Sequence, residues 1–327
     1  MIVAARKIAL FASLLLPASL FADSNIFSDA NTLYGDIRYS ENNIDNSTRT
    51  TTHTENNASR LGVKGQLSER YGITAFYHFE TGVSIEKDKN DDHFTKRFYF
   101  AGIKGDFGKL IYGRRSTPYK VAGLKVDPFY DTAAGAGLAG ATYGLSGLTN
   151  GWSENAIAYS KDMGSFSFNV GTYVDDTEGD SDSRDTNVGF AYQNGSLNVG
   201  VQYLDIGDTG VIPNSTVGST ASRLHARYKA GMWSFGGSFE SIDPQSGETQ
   251  EYIYLSTTYK VDDKLKVSGS YGSVDDVSKK TDGDAITIGA FYQLLKKTQV
   301  YALYSGVNAG ADRDTFAVGI SYKFSTK

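Results

Sequence analysis

The stretch Asp314-Thr-Phe-Ala-Val-Gly-Ile-Ser-Tyr-Lys-Phe324 alternates large apolar residues with small or polar ones. Because successive side chains of a β-strand point to opposite faces, this stretch predicts a strand with one apolar and one polar face. The apolar face carries Phe316, Val318, Ile320, Tyr322 and Phe324. Such a strand fits a soluble β-sandwich as well as a membrane barrel with a water-filled interior, so the rest of the chain has to decide between them.

The N-terminus has the pattern of a secretory signal peptide. Arg6 and Lys7 precede a short apolar run, and Pro17 and small residues follow it. We place cleavage after Ala22, so that 1–22 is the signal and 23–327 the mature chain. No stretch reaches the roughly 18 consecutive apolar residues of a spanning helix. If the chain lies in a membrane, it must form a closed barrel, since lipid offers no partners to a free sheet edge.

Composition excludes several classes of function. The 327 residues include no cysteine, which excludes a disulfide scaffold and thiol chemistry. The net charge is −5 and there is no basic tract, so nucleic acid is not an expected partner. The four histidines lack metal-ligand spacing and no motif for an activated nucleophile is present, so we expect no metal, no cofactor and no enzyme activity.

The connections give the number of strands. Seven short connections, several with Gly or Asn-Gly, have the composition of tight hairpin turns, and eight longer polar ones alternate with them. The short ones lie near 68–72, 105–109, 161–165, 193–196, 229–232, 261–264 and 295–298. The long ones lie near 40–57, 84–94, 115–152, 175–186, 206–220, 243–249, 275–285 and 306–313. Fifteen connections predict sixteen strands, an even number typical of an outer-membrane barrel wide enough to hold water.

Three stretches resemble the general diffusion porins of Gram-negative outer membranes. They are Leu33-Tyr-Gly-Asp-Ile-Arg38, Ser59-Arg-Leu-Gly-Val-Lys-Gly65 and Arg97-Phe-Tyr-Phe-Ala-Gly-Ile-Lys-Gly-Asp-Phe-Gly-Lys-Leu-Ile-Tyr-Gly-Arg-Arg115. Phe324 resembles the aromatic end of the family's assembly signal, although Ser325, Thr326 and Lys327 follow it here. The resemblance implies an all-β, transmembrane antiparallel β-barrel of 16 strands that forms a homotrimer. Its long third loop (115–152) would fold into the lumen, where an acidic loop faces a basic wall.

Alternation assigns charged side chains to the lumen. A charge on the lipid face costs about 2–4 kcal/mol near the midplane, so charge as well as hydrophobicity fixes the register. We place Phe98 and Phe100 on the lipid face, which turns Arg97 inward. The predicted inward set is Asp36, Arg38, Arg60, Lys64, His78, Glu80, Arg97, Glu154, Arg223, His225, Arg227, Glu240 and Lys323.

The resemblance implies a basic wall at Arg60 and Arg97, with Arg38 on the same inward face of a neighbouring strand. A third wall arginine is missing near the start of the sixth strand, where Trp152 and Glu154 lie instead. The alternative is that these are ordinary solvated lumen charges without a shared site.

The third loop carries the opposing charge. Asp127 and Asp131 are four residues apart, so a helical turn would put both carboxylates on one face, opposite the arginines. The Gly- and Ala-rich run after Asp131 is interpreted as the part of the loop that packs against the inner wall. A flexible external loop is the alternative.

The leading hypothesis is a passive, trimeric outer-membrane pore for ions and small hydrophilic solutes, with mild anion preference or none. Two alternatives remain open, a barrel that serves as adhesin or phage receptor through its long loops, and a solute-specific channel. Expected partners are outer-membrane lipid, the outer-membrane assembly machinery, and lipopolysaccharide, whose divalent ions the acidic run 175–185 could share.

Overall fold

A computed structural model describes residues 31–84, 93–136, 143–173, 184–207, 218–244, 246–276, 282–308 and 312–327. The predicted signal 1–22 and most of the acidic run 175–185 lie outside the described residues. The strands are β1 (Asn31–Asp45), β2 (Thr50–Asn56), β3 (Arg60–Arg70), β4 (Ile73–Val83), β5 (Phe94–Gly105), β6 (Gly108–Ser116), β7 (Trp152–Met163), β8 (Phe166–Tyr173), β9 (Asp185–Asn194), β10 (Leu197–Asp205), β11 (Thr220–Ala230), β12 (Trp233–Asp243), β13 (Gln250–Lys260), β14 (Leu265–Asp276), β15 (Gly283–Leu295), β16 (Thr298–Asn308) and β17 (Arg313–Ser325).

These strand segments form one closed antiparallel barrel. Each pairs with its neighbour in sequence, and β17 pairs with β1 from Tyr34↔Ser325 to Asp45↔Asp314. The other edge of β1 pairs with β3 in its first half and with β2 in its second half. Since β2 and β3 lie end to end, they fill one position in the barrel, which confirms the prediction of sixteen strands.

The first long connection was predicted wrongly. The structure continues β1 to Asp45 and starts β2 at Thr50, so a hairpin replaces most of the loop expected over 40–57. The polar residues of this stretch belong to the paired strands β1 and β2. The seven short connections are tight turns, as predicted.

Burial separates the two faces of the barrel wall. The residues predicted to face lipid on the last strand are about half exposed, with Phe316 at 52% and Ile320 at 45%, while Ala317 between them is fully buried. Such an apolar outer surface is the one a membrane barrel requires. Among the described residues, no helix combines the length and hydropathy needed to span a membrane.

The third long connection lies against the inner wall. Pro118–Leu124 form a short helix, α1, whose first turn is capped by the Thr117 hydroxyl, and a 3-10 turn follows at Gly147–Asn150. Phe129 packs in a buried cluster with inward-facing residues of β15 and β16, and Ala133 and Ala134 pack against that cluster. Ala133 and Ala134 are therefore small residues after Asp131 that contact side chains of the wall.

Candidate functional site

Asp131 at the tip of the third loop forms ion pairs with the opposite wall. Its Oδ2 atom lies 2.8 Å from Arg60 Nη1 and 3.8 Å from Arg38 Nη1. Both arginines also contact Asp36, at 3.0 Å from Arg60 and 2.8 Å from Arg38. The pairs follow from register, because Asp36 and Arg60 are directly opposite on β1 and β3 and share the inward face. The loop therefore touches the basic wall here instead of facing it across water.

Asp127 does not join this pair, which corrects the expected arrangement of two loop carboxylates. Residues 127–131 form turns and not a helix, and Asp131 has a left-handed backbone with φ of 60°. The Asp127 carboxylate instead accepts hydrogen bonds from Tyr254 Oη at 2.7 Å and from the backbone N–H groups of Phe129 and Ala136. Burial raises the pKa of Asp127 to about 6, although these hydrogen bonds lower it. Asp127 is an anchor of the loop.

Arg97 faces the lumen because of an irregularity in β5 that alternation alone does not predict. Phe100 pairs directly with inward His78, and Phe98 stacks on the His78 ring at 4.6 Å, so both phenylalanines face inward and the lipid-face assignment was wrong. The pairing between β4 and β5 is irregular between Phe79 and Thr81. The resulting β-bulge turns Arg97 to the same side as Phe98, and its Nε lies 2.5 Å from Glu80 Oε1.

Arg114 is an arginine of this region that sequence analysis did not identify. It forms an ion pair with Glu154, and its guanidinium lies 5.3 Å from the centre of the Trp152 ring. The pairing of β6 with β7 has a second bulge here, because the single residue Arg114 faces two residues of β7, Glu154 and Asn155. Gly113 has φ of 127°, and a Cβ there would lie 2.3 Å from the Tyr99 carbonyl oxygen. The Gly-Arg-Arg sequence at 113–115 was the available signal.

The ammonium group of Lys120 in α1 lies over the Trp152 ring, as do the guanidinium groups of Arg97 and Arg114. Its Nζ lies 4.3 Å from the ring centre, and Arg97 lies 5.0 Å from it. Lys120 is 2% exposed. Burial, and then the neighbouring charge of Arg97, lower the pKa of Lys120 to about 7. Sequence analysis missed this residue because only the fold of the loop brings α1 to the wall.

Arg223 faces inward as predicted but lies under the loop and not in open water. Its side chain is fully buried, and it forms a 2.8 Å ion pair with Glu240, whose side chain is also fully buried. Arg223 also donates to the Tyr119 carbonyl oxygen at 2.7 Å and to Thr149 Oγ1 at 2.6 Å. Glu240 accepts further hydrogen bonds from Tyr119 Oη and the Ser146 N–H. The pair ties both ends of the loop to β11 and β12.

The other predicted lumen residues occupy separate places. Lys64 Nζ lies 5.3 Å from the Tyr34 ring, and Tyr34 Oη hydrogen-bonds both His78 and Glu80. His225 is buried on the inward face of β11, whereas Arg227 and Lys323 are exposed towards the turn end of the barrel. Phe324 ends the alternating stretch, and the chain continues pairing beyond it through Ser325 and Thr326.

The arginines of this region are more exposed than the carboxylates they pair with. The side chains of Arg38, Arg60, Arg97 and Arg114 are 17%, 16%, 15% and 14% exposed. Asp131 and Glu80 are 4% and 5% exposed, and only Glu154, at 43%, departs from this pattern among these pairs. Water in the lumen therefore meets Arg38, Arg60 and Arg97 more than their carboxylate partners, whereas at the fourth pair it meets Glu154 more than Arg114. The described residues include no cluster of three or more His, Asp or Glu side chains that could hold a metal ion.

The chain is similar to known outer-membrane proteins over nearly its whole length. A family model described as Gram-negative porin matches residues 9–312. The major outer membrane protein P.IB of Neisseria meningitidis is 24% identical over 284 residues, covering 81% of this chain and 83% of that protein. Among solved structures, the anion-selective porin from Comamonas acidovorans aligns with a TM-score of 0.75 and 20% identity, covering 90% of this chain and 99% of the other.

OmpT of Vibrio cholerae in its trimer form aligns with a TM-score of 0.69 at 18% identity, covering 90% of this chain and all of that chain. The chain belongs to the Gram-negative porin family, and it is a multi-pass outer-membrane β-barrel that acts as a diffusion pore.

Proposed function

We propose that this protein is a passive, homotrimeric pore for ions and small hydrophilic solutes, with a charged constriction that prefers anions. The observation that carries the proposal is the contact of Asp131 with Arg60 and Arg38, since it closes part of the lumen at the level of the exposed arginines. Flow follows the solute gradient, so no cofactor and no energy source is involved.

The preference for anions rests on the difference in exposure between arginines and carboxylates. A hydrated anion passing the constriction meets the guanidinium groups of Arg38, Arg60 and Arg97, while Asp131 and Glu80 are largely covered by their partners. Rings of charge of one sign set ion preference in a pore. The printed description of the Comamonas porin as anion-selective agrees with this proposal.

The trimer and the remaining partners belong to the same proposal. The trimer form of the Vibrio protein supports a homotrimer for this chain. Lipopolysaccharide is proposed as the lipid partner of the outer rim, and the aromatic stretch ending at Phe324 as the segment read by the outer-membrane assembly machinery.

Single-channel recording of the refolded protein in a planar bilayer tests the proposal. We expect large ohmic openings in steps of three, with closure in thirds at high voltage. A correctly folded barrel without openings would contradict the pore, and it would favour surface interaction through the long loops.

Acidification is expected to increase the preference for chloride. Since the pKa of Lys120 is about 7, lowering the pH from 8 to 6 adds a proton, and hence a positive charge, beside Arg97 and Trp152. The measurement is the zero-current potential across a KCl gradient at both pH values. Protonation of Asp127 near pH 6 changes the charge in the same direction. The variant Lys120→Met removes the contribution of the lysine to the pH response and leaves that of Asp127. An equal pH response in this variant would contradict the assignment.

A further inference from the structure

We propose that the lumen contains a second anion site, which adjoins the constriction at Arg38 and Asp131 and binds multiply charged oxyanions at the turn end of the barrel. The inference rests on the proposed function, because it names a class of solute that the same pore would admit. Its central residues are Arg227, Lys229 and Lys266, none of which pairs with the carboxylates of the constriction in the described contacts.

The site is a cavity of about 380 Å³ below the third loop. The loop covers it with Pro128, Tyr130 and Thr132, and inward-facing residues of β11 to β17 form its wall. It extends to the turn between β11 and β12, at Gly231 and Met232. Cavities that hold small molecules have volumes of about 300–1,000 Å³, so this one is large enough for a ligand of several heavy atoms.

Charge in the cavity is strongly one-sided. Its lining contains five basic residues, namely Arg38, Arg227, Lys229, Lys260 and Lys266. Among the described lining residues Asp131 is the single carboxylate, and it is already paired with Arg60. Lys260 contacts Asp263 at 2.7 Å, which leaves Arg227, Lys229 and Lys266 as the central positive charges.

The arrangement brings like charges close together on one face of the sheet. Lys260 and Lys266 are directly opposite each other on β13 and β14, a position where like charges destabilise a strand pair. Arg227 donates to a neutral group, Ser234 Oγ, at 3.3 Å. All three central side chains are exposed to the lumen, so an anion can reach them without a change in the fold. A bound anion would offset the mutual repulsion of these positive charges, of which Lys260 alone has a carboxylate partner among the described contacts.

The chemistry of the lining favours a di- or trivalent oxyanion over chloride. Arginine donates through a planar fork that matches two oxygens of a phosphate or carboxylate, and the lysine ammonium groups add point charges around it. Coulomb attraction to the three cations scales with the charge of the ion, so at equal distance a monovalent ion gains half as much as a divalent ion and a third as much as a trivalent one. Inorganic pyrophosphate is a suitable probe, since it is multiply charged near neutral pH and small compared with the cavity.

The test compares two double variants that remove the same charge from the lumen. Arg227→Gln with Lys266→Gln acts on the cavity. Lys104→Gln with Lys109→Gln is the matched control, because these residues are also a directly opposed pair at the turn end, on β5 and β6, and neither lines the cavity. Pyrophosphate affinity is measured by calorimetry on the detergent-solubilised barrel at low salt and by the decrease of chloride conductance in bilayers.

We expect the cavity variant to lose affinity by about tenfold or more and the control by less than about twofold, since a direct charge contact is stronger than the field of a distant one. A charge-conserving variant, Arg227→Lys with Lys266→Arg, should keep most of the affinity, and it remains informative if the glutamine variant fails to fold. Equal losses in the cavity and control variants would overturn the site in favour of a diffuse lumen field. No binding to a conducting wild-type pore would overturn it as well, whereas binding to a barrel that does not conduct would overturn the proposed pore alone.

Discussion

Arg223→Met is expected to destabilise the barrel by about 3–5 kcal/mol, because it leaves the Glu240 carboxylate buried without its cation. Both side chains are fully buried and lie 2.8 Å apart. The substitution also removes the hydrogen bonds from Arg223 to the Tyr119 carbonyl and to Thr149, which hold the start and the end of the third loop. Urea unfolding of the refolded protein, followed by tryptophan fluorescence, measures the loss, and bilayer recordings should show noisier open channels.

Two further variants show how much of the loss of stability in Arg223→Met comes from the burial of the ion pair and how much from the removal of a charge. Arg227→Met removes the same side chain from the same face of β11 at an exposed position, so we expect a change within about 0.5 kcal/mol. Arg223→Met with Glu240→Met should recover part of the stability, since an apolar pair replaces the buried ions. If Arg223→Met and Arg227→Met were equally mild, the pair would not anchor the loop.

Arg60→Ala combined with Arg97→Ala is expected to shift ion selectivity from anions towards cations. Each arginine contributes about 0.6 kcal/mol to the attraction of a monovalent anion at ~7 Å in water. Loss of both therefore lowers the permeability to chloride by about sevenfold, at about 1.4 kcal/mol per factor of ten. Because an equal repulsion of potassium is also lost, the chloride-to-potassium permeability ratio falls by about 50-fold. The measurement is the zero-current potential in a KCl gradient.

The control for this pair again removes two positive charges elsewhere in the lumen. Lys104→Ala with Lys109→Ala lies near a turn and away from Asp131, so its shift should be small. An unchanged potential in the arginine variant, or an equal shift in both variants, would refute the constriction assignment. The zero-current potential of both variants is measured in KCl alone, so it does not depend on the pyrophosphate site.

Most of the fold could be predicted from the sequence because a barrel wall obeys a local rule. On β11 the charged side chains of Arg223 and Arg227 cannot face lipid and therefore face inward. Leu224 and Tyr228, on the other face, are each 50% exposed. Period-two alternation therefore fixed the direction of nearly every side chain. The alternation of short and long connections fixed the number of strands in the same way.

The errors fall where the local rule is interrupted. Because of the bulge between β4 and β5, Phe98 and Phe100 face inward, opposite to the direction that alternation assigned to them. Because of the bulge between β6 and β7, alternation did not identify Arg114 as a residue of the wall. A bulge adds one residue to one strand only, so it depends on the partner strand and leaves little trace in a single sequence.

The sequence by itself determined the all-β class, the sixteen strand positions, the inward set of charges and the resemblance to porins. Only the tertiary structure decided how the third loop divides its two aspartates, with Asp131 at Arg60 and Asp127 at Tyr254. The physical reason is the range of the contacts. Strand alternation acts between adjacent residues, whereas these partners are 71 and 127 residues apart in the chain and meet only when the barrel closes.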